Sequence, residues 1–295
     1  MELRQLVYFE AVVRYGGFTR AAQQLRIAQP AVSAQIRRLE AELGAPLLER
    51  TTRRVALTHA GELFLTRTRA VLGQLEAARG ELDELASVMR GRLRIGATQG
   101  LASVDLSGLL ALFHHRYAGV TLALRTGLIG QLLDDLAAGD LDLVLGPIHA
   151  DLAPAFAAEP LVAEEIVLIT APGRPLPGGG TVCLEQVRDE PFVCLAAGSG
   201  LHAILHAAAT AAGFQPRVQF ETYSPASIRE LVSAGLGVAL LAGSNARAPG
   251  PPVQVHELER PPSHPPIGVI HLRARTQNAV TRAWRVHVKQ AYGSR

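Results

Sequence analysis

Three polar residues set four apart, Gln29, Ser33 and Arg37, are where residue type and spacing first coincide in this 295-residue sequence. Residues at i and i+4 share one face of a helix. An amide, a hydroxyl and a planar guanidinium fork are the groups that pair with base edges in the major groove of DNA. Pro30 falls in the same stretch, where the first turn of a helix tolerates its missing N–H. A little further on, Arg50, Arg53 and Arg54 place three guanidinium groups in a short basic stretch suited to backbone phosphates.

No comparable cluster exists for covalent or metal chemistry. Ser199 in Gly198-Ser199-Gly200 lacks the pattern of a nucleophile elbow, and no His/Asp pair is tied to it. His114 and His115 are adjacent on an expected helix, so they face different ways and cannot share a metal. Gly178-Gly179-Gly180 is a glycine run in a loop, too weak a signal for a phosphate cradle. Cys183 and Cys194 form no CxxC and join no Cys/His cluster, so both read as reduced thiols. No enzymatic activity, cofactor or metal is expected.

The elements that must hold the polar triplet follow from periodicity. Leu3, Leu6, Val7, Phe9, Val12 and Val13 form the apolar stripe of a helix over 3–14, stopped by Gly16-Gly17. Thr19 is placed to cap a second helix, Arg20 to Leu25, and a short turn leads to a third that starts near Pro30. Val32, Ile36, Leu39 and Leu43 give that third helix a buried face opposite Gln29, Ser33 and Arg37, and Gly44 ends it. Two helices joined by a four-residue turn make a helix-turn-helix. Leu47 to Arg50 and Val55 to Leu57 then read as two short strands around the basic tip, a wing.

Thr58 is placed to cap a helix that runs without proline to about Met89. Phe64, Val71, Leu75, Ala78, Leu82 and Leu85 follow a heptad seam, with Thr68 its one polar place. A helix this long with one narrow seam is expected to pack on a partner helix, with Val71, Leu75, Leu82 and Leu85 at the dimer contact. From Arg92 the pattern changes to strands alternating with helices: strands Leu93–Ala97, Val120–Arg125, Leu141–Leu145, Val162–Thr170, Phe192–Ala196, Arg217–Glu221, Gly237–Leu241 and Ile267–Leu272, with helices Leu101–Tyr117, Ile129–Ala138, Leu201–Ala212, Pro225–Ala234 and Asn278–Tyr292. This is an α/β body.

Charge is distributed unevenly. Residues 1–60 hold nine Arg against five Glu, an excess of four in a chain whose total is +3, so residues 61–295 net −1. A basic module on a near-neutral body is the footprint of a nucleic-acid binder. Met1 leads directly into an amphipathic segment, with no apolar signal core and no run of eighteen apolar residues, so a cytoplasmic protein with no membrane partner is expected.

Taken in order, Phe18 to Leu25, Gln29-Pro30-Ala31-Val32-Ser33, Arg37-Arg38-Leu39-Glu40, Leu43-Gly44, Leu47-Leu48-Glu49-Arg50 and Leu57-Thr58-His59-Ala60-Gly61 resemble the LysR-type transcriptional regulators. Leu93-Arg94-Ile95-Gly96, Gly139-Asp140-Leu141-Asp142-Leu143 and the run Leu231 to Leu241 agree in outline, so the likeness spans essentially the whole chain. It implies an α+β multidomain protein. A winged helix-turn-helix takes residues 1–58 and a linker/dimerisation helix 59–90. A periplasmic-binding-protein-like effector domain takes 91–295, with subdomain I at 91–161 and 266–295 and subdomain II at 162–265. It further implies double-stranded promoter or operator DNA as a partner, a homodimer that pairs into a homotetramer, a small-molecule effector held between the subdomains, and either activation or repression. RNA polymerase is left open as a partner. Where the family usually continues with proline after a run like Val238 to Leu241, this chain has Ala242-Gly243.

Ligands in such sheets bind beyond the carboxyl ends of strands. Two joints qualify: Thr98-Gln99-Gly100, and Ser199-Gly200-Leu201-His202. Each is expected to offer free N–H groups and a hydroxyl at a helix start, which suits a carboxylate, while Thr98 and Ser199 also cap their helices. In the family both joints face the cleft, and Pro147 and Tyr223 complete the expected effector set. With few charges there apart from His202, the effector is expected to be a small, partly apolar organic acid or aromatic. Two rival classes fall short. A transport-type binding protein would explain residues 91–295 but not the basic winged helix, and would need an export signal. An enzyme with a regulatory N-terminus would need a catalytic cluster.

Overall fold

The computed structural model describes residues 1–50, 55–85, 89–174, 181–274 and 277–292, without the side chains of Arg50 and of residues 76–85. The chain divides into two compact units: Met1–Ser87 with Arg275–Ala279, and Val88–Ala274 with Val280–Arg295.

The first unit opens with α1 (Leu3–Arg14), where Glu2 and Gln5 form a reciprocal capping box. Its stripe of Leu6, Phe9 and Val12 is buried. Helix α2 (Phe18–Leu25) begins before Thr19, and extended Gly17 is its N-cap without a side-chain hydrogen bond; the expected threonine cap is corrected. Arg26 ends α2 in the left-handed region at φ 57°. Helix α3 (Gln29–Leu43) has Pro30 in its first turn and Gly44 at φ 67° as its C-cap, and it buries Val32, Ile36 and Leu39 completely. Strands β1 (Leu48–Arg50) and β2 (Val55–Leu57) pair antiparallel, Leu48 opposite Leu57 and Arg50 opposite Val55. The Glu40 carboxylate of α3 accepts the N–H groups of Leu47 (2.9 Å) and Leu48 (3.2 Å), which ties the start of the wing to α3.

Thr58 caps α4 (His59–Leu85): its hydroxyl accepts the Gly61 N–H at 2.9 Å and donates to the Pro46 carbonyl at 2.7 Å. A Cβ on Gly61 would lie 2.0 Å from the Leu47 carbonyl oxygen, so only glycine fits there. The first turns of α4 pack within their own chain. The Phe64 ring sits 5.7 Å from Phe9, and Leu65 and Thr68 are buried. The N-terminal part of the heptad seam is therefore spent on α1. Val71 is 45% exposed and Leu75 half-buried, while the side chains of Leu82 and Leu85 lie outside the described residues.

The second unit runs β3 (Gly91–Thr98), α5 (Leu106–Arg116), β4 (Val120–Gly127), α6 (Ile129–Ala138), β5 (Leu143–Pro147), β6 (Phe156–Val162), β7 (Ile166–Thr170) and β8 (Thr181–Val182), then a 3-10 turn at Leu184–Val187. It continues through β9 (Pro191–Leu195), α7 (Gly200–Ala211), β10 (Arg217–Thr222), α8 (Pro225–Ser233), β11 (Ala239–Ala242), α9 (Gly243–Arg247), β12 (Gln254–Leu258), β13 (Ile267–Leu272) and α10 (Ala279–Tyr292). One lobe is built on a five-stranded sheet, order β4-β3-β5-β13-β6, in which β3 runs parallel to β4 and β5 while β13 is antiparallel to β5 and β6. Its core holds Trp284 of α10 edge-on to Phe113 of α5, ring centres 5.0 Å apart. Asp142 takes the backbone N–H of Arg94 (2.9 Å) and both sides of its guanidinium (3.2 and 2.7 Å), fixing β3 against the start of β5. The other lobe pairs β11-β7-β12-β8, and the parallel strands β9 and β10 join it where Val193 and Val238 share a 2.9 Å bond.

Two further expectations are corrected here. The single strand Val162–Thr170 is two, β6 and β7, broken at Ala163-Glu164-Glu165 where the chain crosses between lobes. The helix expected from Leu101 starts at Leu106, because Asp105 accepts the Gly108 N–H and caps it there, while 101–105 turn back on themselves (Val104 N to Leu101 O, 3.0 Å). Strand β12, between the proline-rich stretches 249–252 and 261–266, is an element that the periodicity of the sequence does not mark. The return crossing, 259–266, carries Pro261, Pro262, Pro265 and Pro266. The glycine run at 178–180 lies outside the described residues.

Candidate functional site

On the first unit, α3 turns Gln29, Pro30 and Arg37 outward, with Ser33 half-buried beside them, on the side away from Val32, Ile36 and Leu39. Gln5 of α1 is buried and donates to Gln35 at 3.3 Å, so α3 is held in rotation about its axis as well as in position. Arg50 belongs to β1, but its side chain, like Arg53 and Arg54, lies outside the described residues. Arg20, Arg26 and Arg38 are exposed on the same unit and were not singled out from the sequence. An arginine at φ 57° is unusual for a residue with a Cβ, and periodicity carries no sign of it.

On the second unit a cavity of about 380 Å³ opens between the lobes. Thr98, Gln99 and Gly100 line it from the end of β3, with Pro147 from β5, Ser199, Gly200 and Leu201 from the start of α7, and Tyr223 at the rim, 72% exposed. The structure thus brings together eight of the nine residues expected to meet an effector. His202 is the exception. Its N–H donates to the Ser199 hydroxyl at 3.2 Å, and its ring lies against that of His206, centres 4.4 Å apart, without lining the cavity. The second correction concerns Thr98. It lies at a strand end rather than a helix start, so it cannot act as a cap, and its methyl group presses on Gly146, where a Cβ would lie 2.9 Å away.

Ser103, Glu164 and His264, from a turn and the two crossings, and Gln131 and Asn245, near the starts of α6 and α9, also line the cavity and were not expected from the sequence. Three helices begin in the wall: α6 at Ile129, α7 at Gly200 and α8 at Pro225. Neither Leu128 nor Ser224, the N-caps of α6 and α8, caps its helix with a side chain. The first-turn N–H groups of a helix lack intrahelical partners and carry partial positive charge. Among the described residues no arginine or lysine lines the cavity and Glu164 is its one carboxylate, engaged by the Ser244 hydroxyl (2.6 Å) and N–H (3.2 Å). His264 has its Nδ1 2.6 Å from the Pro265 carbonyl, and burial pushes its pKa below the ordinary value. Two contacts join the lobes across the mouth. Asn245 donates to the Gly100 carbonyl at 2.6 Å, and Gly100, at φ 76°, packs so closely on Pro225 that a Cβ would lie 2.4 Å from its Cγ.

A helix-turn-helix with a wing, a long helix and a two-lobed body around a cavity define a DNA-binding transcription regulator with an effector-binding domain. The family model for the bacterial regulatory helix-turn-helix protein, lysR family, matches residues 3–62, and that for the LysR substrate binding domain matches residues 86–293. The chain belongs to the LysR family of transcriptional regulators. It is 34% identical over 245 residues to a RuBisCO operon transcriptional regulator of Allochromatium vinosum, covering 82% of this chain and 80% of that one. With the regulator BudR of Raoultella terrigena it shares 34% over 262 residues, 88% and 90% of the two chains. Among solved structures, HinK, a LysR family transcriptional regulator of Pseudomonas aeruginosa, superimposes with a TM-score of 0.61 at 26% identity over 100% of this chain and 99% of that one. These relatives are regulators and not enzymes, and this chain is likewise a regulator rather than an enzyme. Among the described residues no helix is long and apolar enough to cross a membrane, and no three His, Cys, Asp or Glu gather into a metal-holding group.

Proposed function

We propose that the cavity between the lobes binds a small organic acid or aromatic with a partly apolar body, and that its occupancy alters how the winged helices engage operator DNA. The observation that carries this reading is the convergence of three helix N-termini on a cavity whose described lining holds no arginine or lysine and a single, already engaged carboxylate. Backbone N–H groups there complement a carboxylate, and Leu101, Ile129 and Leu201 suit an apolar or ring-shaped body. Gln29, Ser33 and Arg37, with Pro30 at the edge, read bases; Arg50, Arg53 and Arg54 meet phosphates. Val71, Leu75, Leu82 and Leu85 pair the α4 helices, and the dimers pair again into a homotetramer in the cytoplasm, with RNA polymerase as the partner downstream.

The test is a panel of aliphatic and aromatic carboxylates with amines of matched shape, screened by thermal shift on the full chain, with each hit carried into DNase footprinting. Thr98→Val and Ser199→Ala should each remove the ligand-dependent change in footprint while DNA affinity without ligand is kept. Ser199 also caps α7, so Ser199→Ala should cost about 1 kcal/mol of stability in addition. A variant that keeps the full ligand-dependent change would sink the assignment of that residue. A panel in which amines bind and carboxylates do not would overturn the acid reading.

A further inference from the structure

We propose that His202 and His206, on the outer side of α7, form a two-histidine chelate for a divalent transition-metal ion, a site separate from the effector cavity. The residues stand one helical turn apart, at i and i+4, so both side chains leave the same face of a twelve-residue helix. Both are half-buried and reachable from solvent, and their rings lie 4.4 Å apart, centre to centre, with planes 33° from parallel. An ion bound at about 2.0–2.1 Å from each of two ring nitrogens requires those nitrogens to sit little more than 3 Å apart, a spacing that neighbouring rings at this distance reach by small side-chain rotations. The helix itself is firmly made here: the His202 N–H is held by Ser199 and the His206 carbonyl by the Thr210 hydroxyl at 2.8 Å. What those bonds engage is backbone, so the ring nitrogens are left available to coordinate.

Imidazole nitrogen suits Cu²⁺, Ni²⁺ and Zn²⁺, with affinity in the order Cu²⁺ above Ni²⁺ and Cu²⁺ above Zn²⁺. Two protein ligands leave the remaining coordination positions to water or to a donor atom from elsewhere. The clip would span 202–206, the turn directly behind Ser199, Gly200 and Leu201 of the cavity wall. A metal there would stiffen the start of α7 without entering the cavity.

The experiment uses the untagged full-length chain and isothermal titration with NiCl₂ and CuCl₂ at pH 7.5. One ion per chain is expected at this site, with Cu²⁺ the tighter. Glutamine in place of either histidine, His202→Gln or His206→Gln, keeps a polar side chain on an accessible helix face but removes a ligand. Loss of a mere supporting partner outside the ligand set costs about ten- to a hundredfold in metal affinity, so loss of a ligand should cost at least about tenfold. The double variant His114→Ala/His115→Ala should leave binding unchanged. Unchanged affinity in either glutamine variant, or loss of binding in the His114/His115 variant, overturns the proposal.

Discussion

Replacing Gly100 by alanine tests whether the cavity mouth is held shut from both sides. Gly100 sits at φ 76°, and the new Cβ would lie 2.4 Å from Pro225 Cγ, where ordinary contact begins at 3.4 Å. Proline cannot rotate away, so the loop and α8 must separate by about 1 Å. The left-handed backbone costs a residue with a Cβ about 1–2 kcal/mol. The separation also strains the 2.6 Å bond from Asn245 to the Gly100 carbonyl, worth about 1 kcal/mol. Together these predict a loss of about 2–3 kcal/mol, which for a unit of this size lowers the melting temperature by about 5–10 °C. Thermal melts of the full chain should be run for Gly100→Ala, Asn245→Ala and the double variant. Because Gly100→Ala already breaks the bond, adding Asn245→Ala should cost little more, and the two effects should not add. A Gly100→Ala protein that melts within about 1 °C of the parent, or strictly additive losses, would refute the idea that these groups hold the lobes together.

Gln29→Ala or Arg37→Ala should weaken binding at the cognate operator by about 1–3 kcal/mol and much less on random DNA; equal losses in a mobility-shift comparison would reduce both residues to phosphate contacts. His256 is 7% exposed, its Nε2 is 3.0 Å from the Thr170 hydroxyl, and burial pushes its pKa below the ordinary value, as it does for His264. The unfolded chain therefore takes up protons that the folded one does not once the pH falls below about 6.5, and stability should drop with pH from there until the folded histidines protonate. Thermal melts between pH 7.5 and 5 should show this fall, reduced in His256→Gln; identical profiles for the two proteins would rule His256 out. Burial pushes the Cys194 thiol up to about 11, and the 2.8 Å bond to Glu259, more than any other influence, raises that of Cys183. Both should react slowly with a thiol reagent at pH 8, Glu259→Gln should speed Cys183, and a fast native thiol would contradict the geometry.

The periodic parts of the structure were open to sequence reading. The spacing of Val32, Ile36 and Leu39 located α3 and its outer face, and Thr58 and Gly44 marked helix ends through the capping chemistry their types provide. The errors fell where a rule has more than one solution. Thr19 looked like a cap, but Gly17, two residues earlier, already stood extended before α2. Leu101 looked like the first residue of a helix because the apolar residues of 101–105 extend the pattern of 106–116, whereas Asp105 sets the start. Of the cavity, the residues at strand ends were accessible because the chain has a general preference for binding there. Glu164, Asn245 and His264 were not, because crossings and short helices place side chains by three-dimensional closure alone. His202 failed for a local reason: three positions past Ser199, its ring packs on His206, and neither lines the cavity.

The two crossings between the lobes differ as mechanical parts. The outgoing one is three residues, Ala163-Glu164-Glu165, with glutamates that grip α9 through Ser244 and Arg247. The returning one has proline at four of the six positions from 261 to 266. Each proline fixes its own φ and narrows the range of the residue before it, so this segment behaves as a strut with few soft torsions. Compliance is then concentrated in the outgoing connection and in the strand ends that the strut joins. A body hung on one stiff strut and one short tether has a preferred axis: the lobes should twist about the strut more readily than they slide or part. Any signal that a molecule in the cavity sends outward would thus leave as a torque, and one proline replaced by glycine, at 262 or 265, should let that torque dissipate within the domain.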